Sequence, residues 1–155
     1  MSFPQTLHAG LVARRLNGVW RGVLIEGRSG AGKSDLALRA LNRGWRLVAD
    51  DRVVLWTSGG HAYGRPPAPL AGLLEARGVG LAAAEGLQLS RIDLVVAHAD
   101  APERMPEAAF RRFGAVEVPR VELNLTEKST VFKLLPALSA ALQGDALSQL
   151  GARAW

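Results

Sequence analysis

The chain has 155 residues, is 48% hydrophobic and 21% charged, and carries a formal charge of +5. That size and composition suit one α/β unit with its own core, and the absence of cysteine excludes both a disulfide framework and a thiolate metal site. No apolar run reaches the roughly 18 residues that a membrane span needs, and residues 1–15 lack the apolar stretch of a signal peptide, so a cytoplasmic protein without membrane contact is expected.

Residues 7–13 and 19–25 read as two strands joined at Asn17-Gly18, the favoured hairpin dipeptide. A glycine-rich segment follows, then a helix from 34 to about 42, closed by Arg43-Gly44, a basic last turn and a C-terminal glycine. Strands are expected at 45–49 and 53–56, on either side of Asp50-Asp51. Residues 59–69 carry glycines and three prolines and predict an exposed loop. The continuous apolar run 92–97 predicts a buried central strand. Residues 103–113 are expected to be helical, with Met105-Pro106 breaking the start. A strand over 116–125 would have its phase shifted at Pro119-Arg120. A helix over 127–142 would be kinked or split by Pro136, and the last residues are expected to fray. No internal repeat is present.

The glycine-rich segment carries the chemistry. Gly27, Arg28, Ser29, Gly30, Ala31, Gly32, Lys33 and Ser34 satisfy G-x-x-x-x-G-K-[ST] at every fixed position, between an apolar strand and a helix. The glycines let successive N–H groups face inward, and the positive end of the following helix adds to an anion site. Lys33 would reach the terminal phosphates of a nucleotide, and the Ser34 hydroxyl would ligate Mg²⁺. As a loop residue, Lys33 is expected to be exposed and to pack against nothing. The spacing is not G-x-G-x-x-G, so a dinucleotide fold is rejected.

Asp50 and Asp51 end the strand that follows the first helix, on the edge where α/β proteins bind ligands. Adjacent carboxylates at a strand end point in different directions. One can approach Ser34 and the metal, and the other can approach the γ-phosphate and accept a proton from a nucleophile. The same pair could instead cap a turn. The positive charge comes mostly from scattered arginines, without a basic block and with a single tyrosine. Such a pattern points to an anionic ligand or an acidic protein partner and away from nucleic acid.

Taken together, GVLIEGRSGAGKSDLALRALNRGWRLVADDRVVLW resembles the heart of the HPr kinase/phosphorylase catalytic domain, a bacterial serine kinase family acting on the phosphocarrier HPr of the sugar phosphotransferase system. Thr6-Leu7-His8 with Gly10-Leu11-Val12 is similar to the family's histidine-bearing strand, and LLEARGVG at 73–80 resembles its signature L-E-x-R-G-x-G. GAVEVPR at 114–120 resembles its penultimate strand, so the likeness spans about residues 6–125. The resemblance implies a single α/β P-loop domain of the phosphoenolpyruvate carboxykinase-like type over 1–155, with a mixed sheet and flanking helices. It implies that Lys33 and Ser34 hold ATP and Mg²⁺, and that Asp51 is the general base on the target serine. Asp50 and Glu75 would stand beside the metal, Arg77 would contact phosphate or hold Glu75, and His8 would tune Asp51. On the residues alone, Glu75 and Arg77 could equally be a plain surface ion pair, and His8 a strand-end histidine. His61 and His98 match no motif and are read as surface residues.

The chain departs from the family pattern in three places. The family's separate N-terminal domain is expected to be missing, Arg28 stands where an acid commonly follows the first loop glycine, and Lys128 occupies the region of an absent R-P-G-R-N segment. The last of these serves the reverse reaction. The expected function is therefore ATP- and Mg²⁺-dependent phosphorylation of a serine on an HPr-like carrier, with weak or no phosphorylase activity. A homo-oligomer is possible. The alternatives are a small-molecule kinase or nucleotidase on this scaffold and a nucleotide-binding regulatory module without catalysis.

Overall fold

The computed structural model of the chain describes residues 4–68, 71–84 and 86–149, over 145–149 the backbone only. Strands β1 (Gln5–Leu7), β2 (Ala9–Leu16) and β3 (Val19–Glu26) lead through the glycine-rich loop into helix α1 (Lys33–Leu41). Then come β4 (Arg46–Ala49), β5 (Val53–Ser58), β6 (His61–Arg65), the β7 (Leu73–Ala76) and β8 (Gly80–Ala83) hairpin, and β9 (Ser90–His98). β10 (Ala109–Phe113), β11 (Val116–Leu123) and helix α2 (Thr130–Gln149) complete the chain as described. The expected mixed α/β architecture is what the structure has.

Asn17 and Gly18 both take positive φ, 50° and 78°, the primed turn that matches strand twist, and β2 and β3 pair from Ala9↔Glu26 to Leu16↔Val19. β3 also pairs in parallel with β9, β9 in parallel with β11, and β2 antiparallel with β4. Hence β3, β4, β9 and β11 all run the same way, and their C-terminal ends (Glu26, Ala49, His98 and Leu123) meet at one edge of the sheet.

Along β3, Val23 and Ile25 face one buried cluster and Leu24 another. The first cluster joins the sheet to α1 and α2 through Leu36, Ala37, Leu134 and Leu138. The second lies on the opposite face, under β5, β6, β10 and β11, with Leu55, Ala62, Phe113 and Val118. Burial on both faces is why the strands at 23–25 and 94–97 are apolar without alternation.

Several expectations fail. Residues 61–65 are not loop but strand β6, paired with β5 and with β9. A Cβ on Gly64 would lie 2.7 Å from Leu11 Cδ2 and 2.8 Å from Val53 Cγ1, so this glycine marks a strand crossing tightly over the core. Residues 103–113 are not a helix: 103–108 are irregular, and 109–113 pair with β11 across a turn at Gly114, φ 60°. β11 keeps one register through Pro119, with no phase shift, and α2 runs unbroken through Pro136. The terminal residues expected to fray beyond 149 lie outside the described residues.

β9 holds one buried acid. The register passes from Gly22↔Ile92 to Val23↔Leu94, which makes Asp93 the extra residue of a bulge. Its Oδ1 accepts from Arg21 Nη1 at 3.4 Å and forms an ion pair with Arg91 Nε at 2.8 Å, while Oδ2 is buried with no hydrogen-bond partner among the described residues. Burial pushes this carboxyl above the usual aspartate range, with Arg91, Arg21 and the Gly22 amide pulling it back. The folded state then retains a proton that the unfolded chain has lost. The stability this group contributes is complete in acid and declines as pH rises from the ordinary aspartate value through the raised one. Asp93→Asn should flatten that decline. Melting temperatures from about pH 4 to about pH 7 check it, and an identical pH slope in the variant would exclude this cause.

Candidate active site

The loop leaves β3 at Glu26 and enters α1 through three glycines with separate tasks. Gly30 and Gly32 hold φ of 84° and 105°, a left-handed backbone that favours glycine. Gly27 is needed for space, since a Cβ there would lie 3.0 Å from Ala31 Cβ and 3.2 Å from His98 Cβ. Gly32 is the N-cap of α1 and offers no capping side chain; the first intrahelical bond is Leu36 N–H to its carbonyl. The amides of 33–35 therefore have no intrahelical acceptor, which is the arrangement that suits an anion.

Lys33 departs from expectation. It is 7% exposed, and its Nζ donates to the Gly27 carbonyl at 2.5 Å and the Arg28 carbonyl at 3.0 Å. An ammonium has three protons. Two hold the loop closed on itself, so the charge sits inside the curl and is not a free surface group. Arg28, by contrast, is exposed and makes no side-chain hydrogen bond or ion pair among the described residues.

The two aspartates separate sharply. Asp50 is 7% exposed; its Oδ1 accepts from Ser34 Oγ at 2.7 Å and its Oδ2 from the Glu75 N–H at 2.9 Å. One carboxylate thus ties the start of α1 to the β7–β8 hairpin. Asp51 is exposed and adopts φ 65°, a left-handed conformation that Asp tolerates better than most residues. The Asp51 carbonyl accepts from the Ala9 N–H at 3.1 Å, which brings the chain at His8 alongside. His8 itself is exposed at the bend between β1 and β2.

Glu75 sits on β7 with an exposed side chain and its backbone on Asp50. Ser34, Asp50 and Glu75 supply hydroxyl and carboxylate oxygens, the donors a hard divalent cation takes. Among the described residues no three Asp, Glu or His side chains cluster as a ready cage, which fits an ion that completes its shell with phosphate oxygens and water. Arg77 is exposed at the turn of the β7–β8 hairpin and makes no ion pair with Glu75.

His98 is not the plain surface residue expected. It ends β9 with its side chain 13% exposed, its Nδ1 accepts the Leu125 N–H at 3.2 Å, and its Nε2 faces Asp100 Oδ1 at 2.9 Å. Arg39 of α1 reaches the same turn, donating to the carbonyls of Leu125 at 2.6 Å and Glu127 at 3.0 Å. His61 lies half-buried in β6, opposite Ser58. Neither His98 nor Arg39 belongs to a motif; only contacts between distant parts of the chain reveal them.

Comparison with known proteins bears on the family and the fold. The sequence profile of the family described as the HPr Serine kinase C-terminal domain matches residues 4–134. An HPr kinase/phosphorylase of Clostridium tetani is 33% identical over 127 residues, covering 78% of this chain and 41% of that protein. One from Streptococcus thermophilus is 54% identical over 61 residues, which is 39% of this chain and 20% of that protein. The chain thus spans less than half the length of these relatives. The structure of the Hpr(Ser) kinase/phosphatase from Coxiella burnetii superposes with a TM-score of 0.68 at 23% identity, covering 95% of this chain and 93% of that one, and shows the same fold.

Proposed function

The chain belongs to the HPr serine kinase C-terminal domain family, and we propose that it transfers the γ-phosphate of ATP to a serine of an HPr-like phosphocarrier protein, with Mg²⁺. The observation that carries this reading is Asp50, bonded at once to Ser34 and to the backbone of Glu75. It joins the phosphate loop to the family signature. Ser34, Asp50 and Glu75 would hold the ion, which when bound supplies positive charge against the β- and γ-phosphates. Lys33 exchanges its carbonyl partners for phosphate oxygens, and the amides of 33–35 take up charge that develops on the transferred group. Asp51 accepts the proton of the serine hydroxyl as it attacks in line. His8, whose neighbour Ala9 bonds to the Asp51 carbonyl, would assist it in that role. Arg77, exposed at its hairpin turn, is available to an incoming phosphate.

Incubating the protein with ATP, Mg²⁺ and an HPr-like carrier tests this reading. Phosphoserine on the carrier supports it; hydrolysis alone would indicate a nucleotidase, and binding without turnover a regulatory module. We further propose that the reverse reaction is weak or absent. Arg28 adds a cation beside the phosphates, and at the turn after β11 the only basic side chain is that of Lys128. Serine-phosphorylated carrier, Mg²⁺ and inorganic phosphate should yield little pyrophosphate. Release at a rate comparable to forward transfer would overturn this, and would mean that Lys128 or another basic residue replaces the missing arginines.

A further inference from the structure

The phosphate loop has a second wall. A Cβ on Gly27 would touch Leu125 Cδ1 at 3.5 Å, and one on Gly32 would touch Thr126 Cγ2 at 3.4 Å and Leu125 Cβ at 3.6 Å. The turn at 124–127 therefore lies directly against both ends of the loop. Four side chains fix it, among them Thr130, whose Oγ1 donates to the Asn124 carbonyl. Asn124 Oδ1 accepts from the Thr126 N–H at 3.0 Å and from Thr126 Oγ1 at 2.7 Å. Arg39 holds the Leu125 and Glu127 carbonyls from the side of α1. His98 holds the Leu125 N–H from the side of β9.

We propose that His98 is a positioning residue for the phosphate loop: its Nδ1, by accepting the Leu125 N–H, keeps the 124–127 turn seated against Gly27 and Gly32. Accepting at Nδ1 places the ring proton on Nε2, which donates to Asp100. Leu125 is fully buried, so losing that acceptor strands an amide away from water. The Asp100 partner is 86% exposed, and that bond contributes little by comparison. The Nδ1 bond is thus the one that matters.

Substitution can separate this role from simple space-filling. An asparagine amide oxygen reaches about as far as Nδ1, whereas a glutamine amide reaches the place of Nε2 and leaves Nδ1 without a substitute. His98→Asn should keep the turn seated; His98→Gln and His98→Ala should release it. In the nucleotide-free protein, hydrogen–deuterium exchange at 124–127 and 27–32 should quicken by about tenfold in the Gln and Ala variants and stay near wild type in Asn. Calorimetry with ATP and Mg²⁺ should show affinity weakened by about tenfold in the same two variants. That second readout rests on the nucleotide-binding reading; the exchange readout does not. Faster exchange in the Gln and Ala variants, together with a wild-type protein that binds no ATP, would leave the clamp standing and sink the kinase reading. Equal exchange and equal affinity in the Asn and Gln variants would overturn the proposal.

Discussion

Asp51→Asn should lower the rate of the proposed phosphoryl transfer by about 10²-fold or more, with ATP affinity little changed. The substitution keeps size and hydrogen-bonding capacity and removes the proton acceptor. The backbone accepts it, because Asn is at least as tolerant as Asp of the φ of 65° found there. Asp51 is exposed and bonds to the rest of the site only through its carbonyl, so neither the loop nor the core depends on its carboxylate. Asp50→Asn is the informative contrast. Its Oδ2 accepts the Glu75 N–H and its Oδ1 the Ser34 hydroxyl; an amide NH₂ facing the Glu75 N–H sets donor against donor, and one facing Ser34 Oγ reverses that bond and removes the carboxylate charge beside it. Asp50→Asn should therefore weaken binding of ATP with Mg²⁺ as well as turnover. Should Asp50→Asn leave binding untouched while removing turnover, the two aspartates have exchanged roles.

Lys33→Ala should abolish measurable ATP binding. Hydrogen bonds to a charged group are worth about 1.5–3 kcal/mol each, and loss of two phosphate contacts corresponds to about 10²-fold or more in affinity. The burial of Lys33 adds a second effect. With its Nζ gone, the Gly27 and Arg28 carbonyls lose their donor, so a lower melting temperature accompanies the loss of binding. Isothermal titration with ATP and Mg²⁺, beside a thermal melt of the same sample, distinguishes the two. Unchanged affinity together with unchanged activity would refute the phosphate-loop reading.

The parts of the site that were legible in the sequence are local ones. The loop, its flanking strand and helix, and Asp50 at the end of the next strand follow from spacing, and the Ser34–Asp50 bond joins residues only 16 apart. Asn17-Gly18 and the apolar run of β9 were legible for the same reason. The errors are at places where distant packing overrides composition. Gly64 suggested a loop because glycine usually does, yet Leu11 and Val53 leave no room for a side chain in that strand. Residues 109–113 showed no strand signal of their own; pairing with β11 and the Glu26–Arg111 contact at 3.2 Å hold them. Lys33 read as exposed because its partners are backbone carbonyls, which a sequence does not display. His98 was invisible because its partner is 27 residues away.

The parallel pairing of β3 with β9 and of β9 with β11 bears on how the chain acquires its fold. Strands near residue 20 must wait for strands near residue 95 and residue 120 before they are covered on that side. Contacts so far apart in sequence make for slow folding, on the scale of milliseconds to seconds. On the ribosome, where chains emerge at about 5–20 residues per second, the β2–β3 hairpin and the glycine loop come out first, and the wall that seats the loop follows about 90 residues later. A nascent chain therefore carries the glycine loop for several seconds before its second wall exists, and the loop is seated only once residues 124–127 have followed.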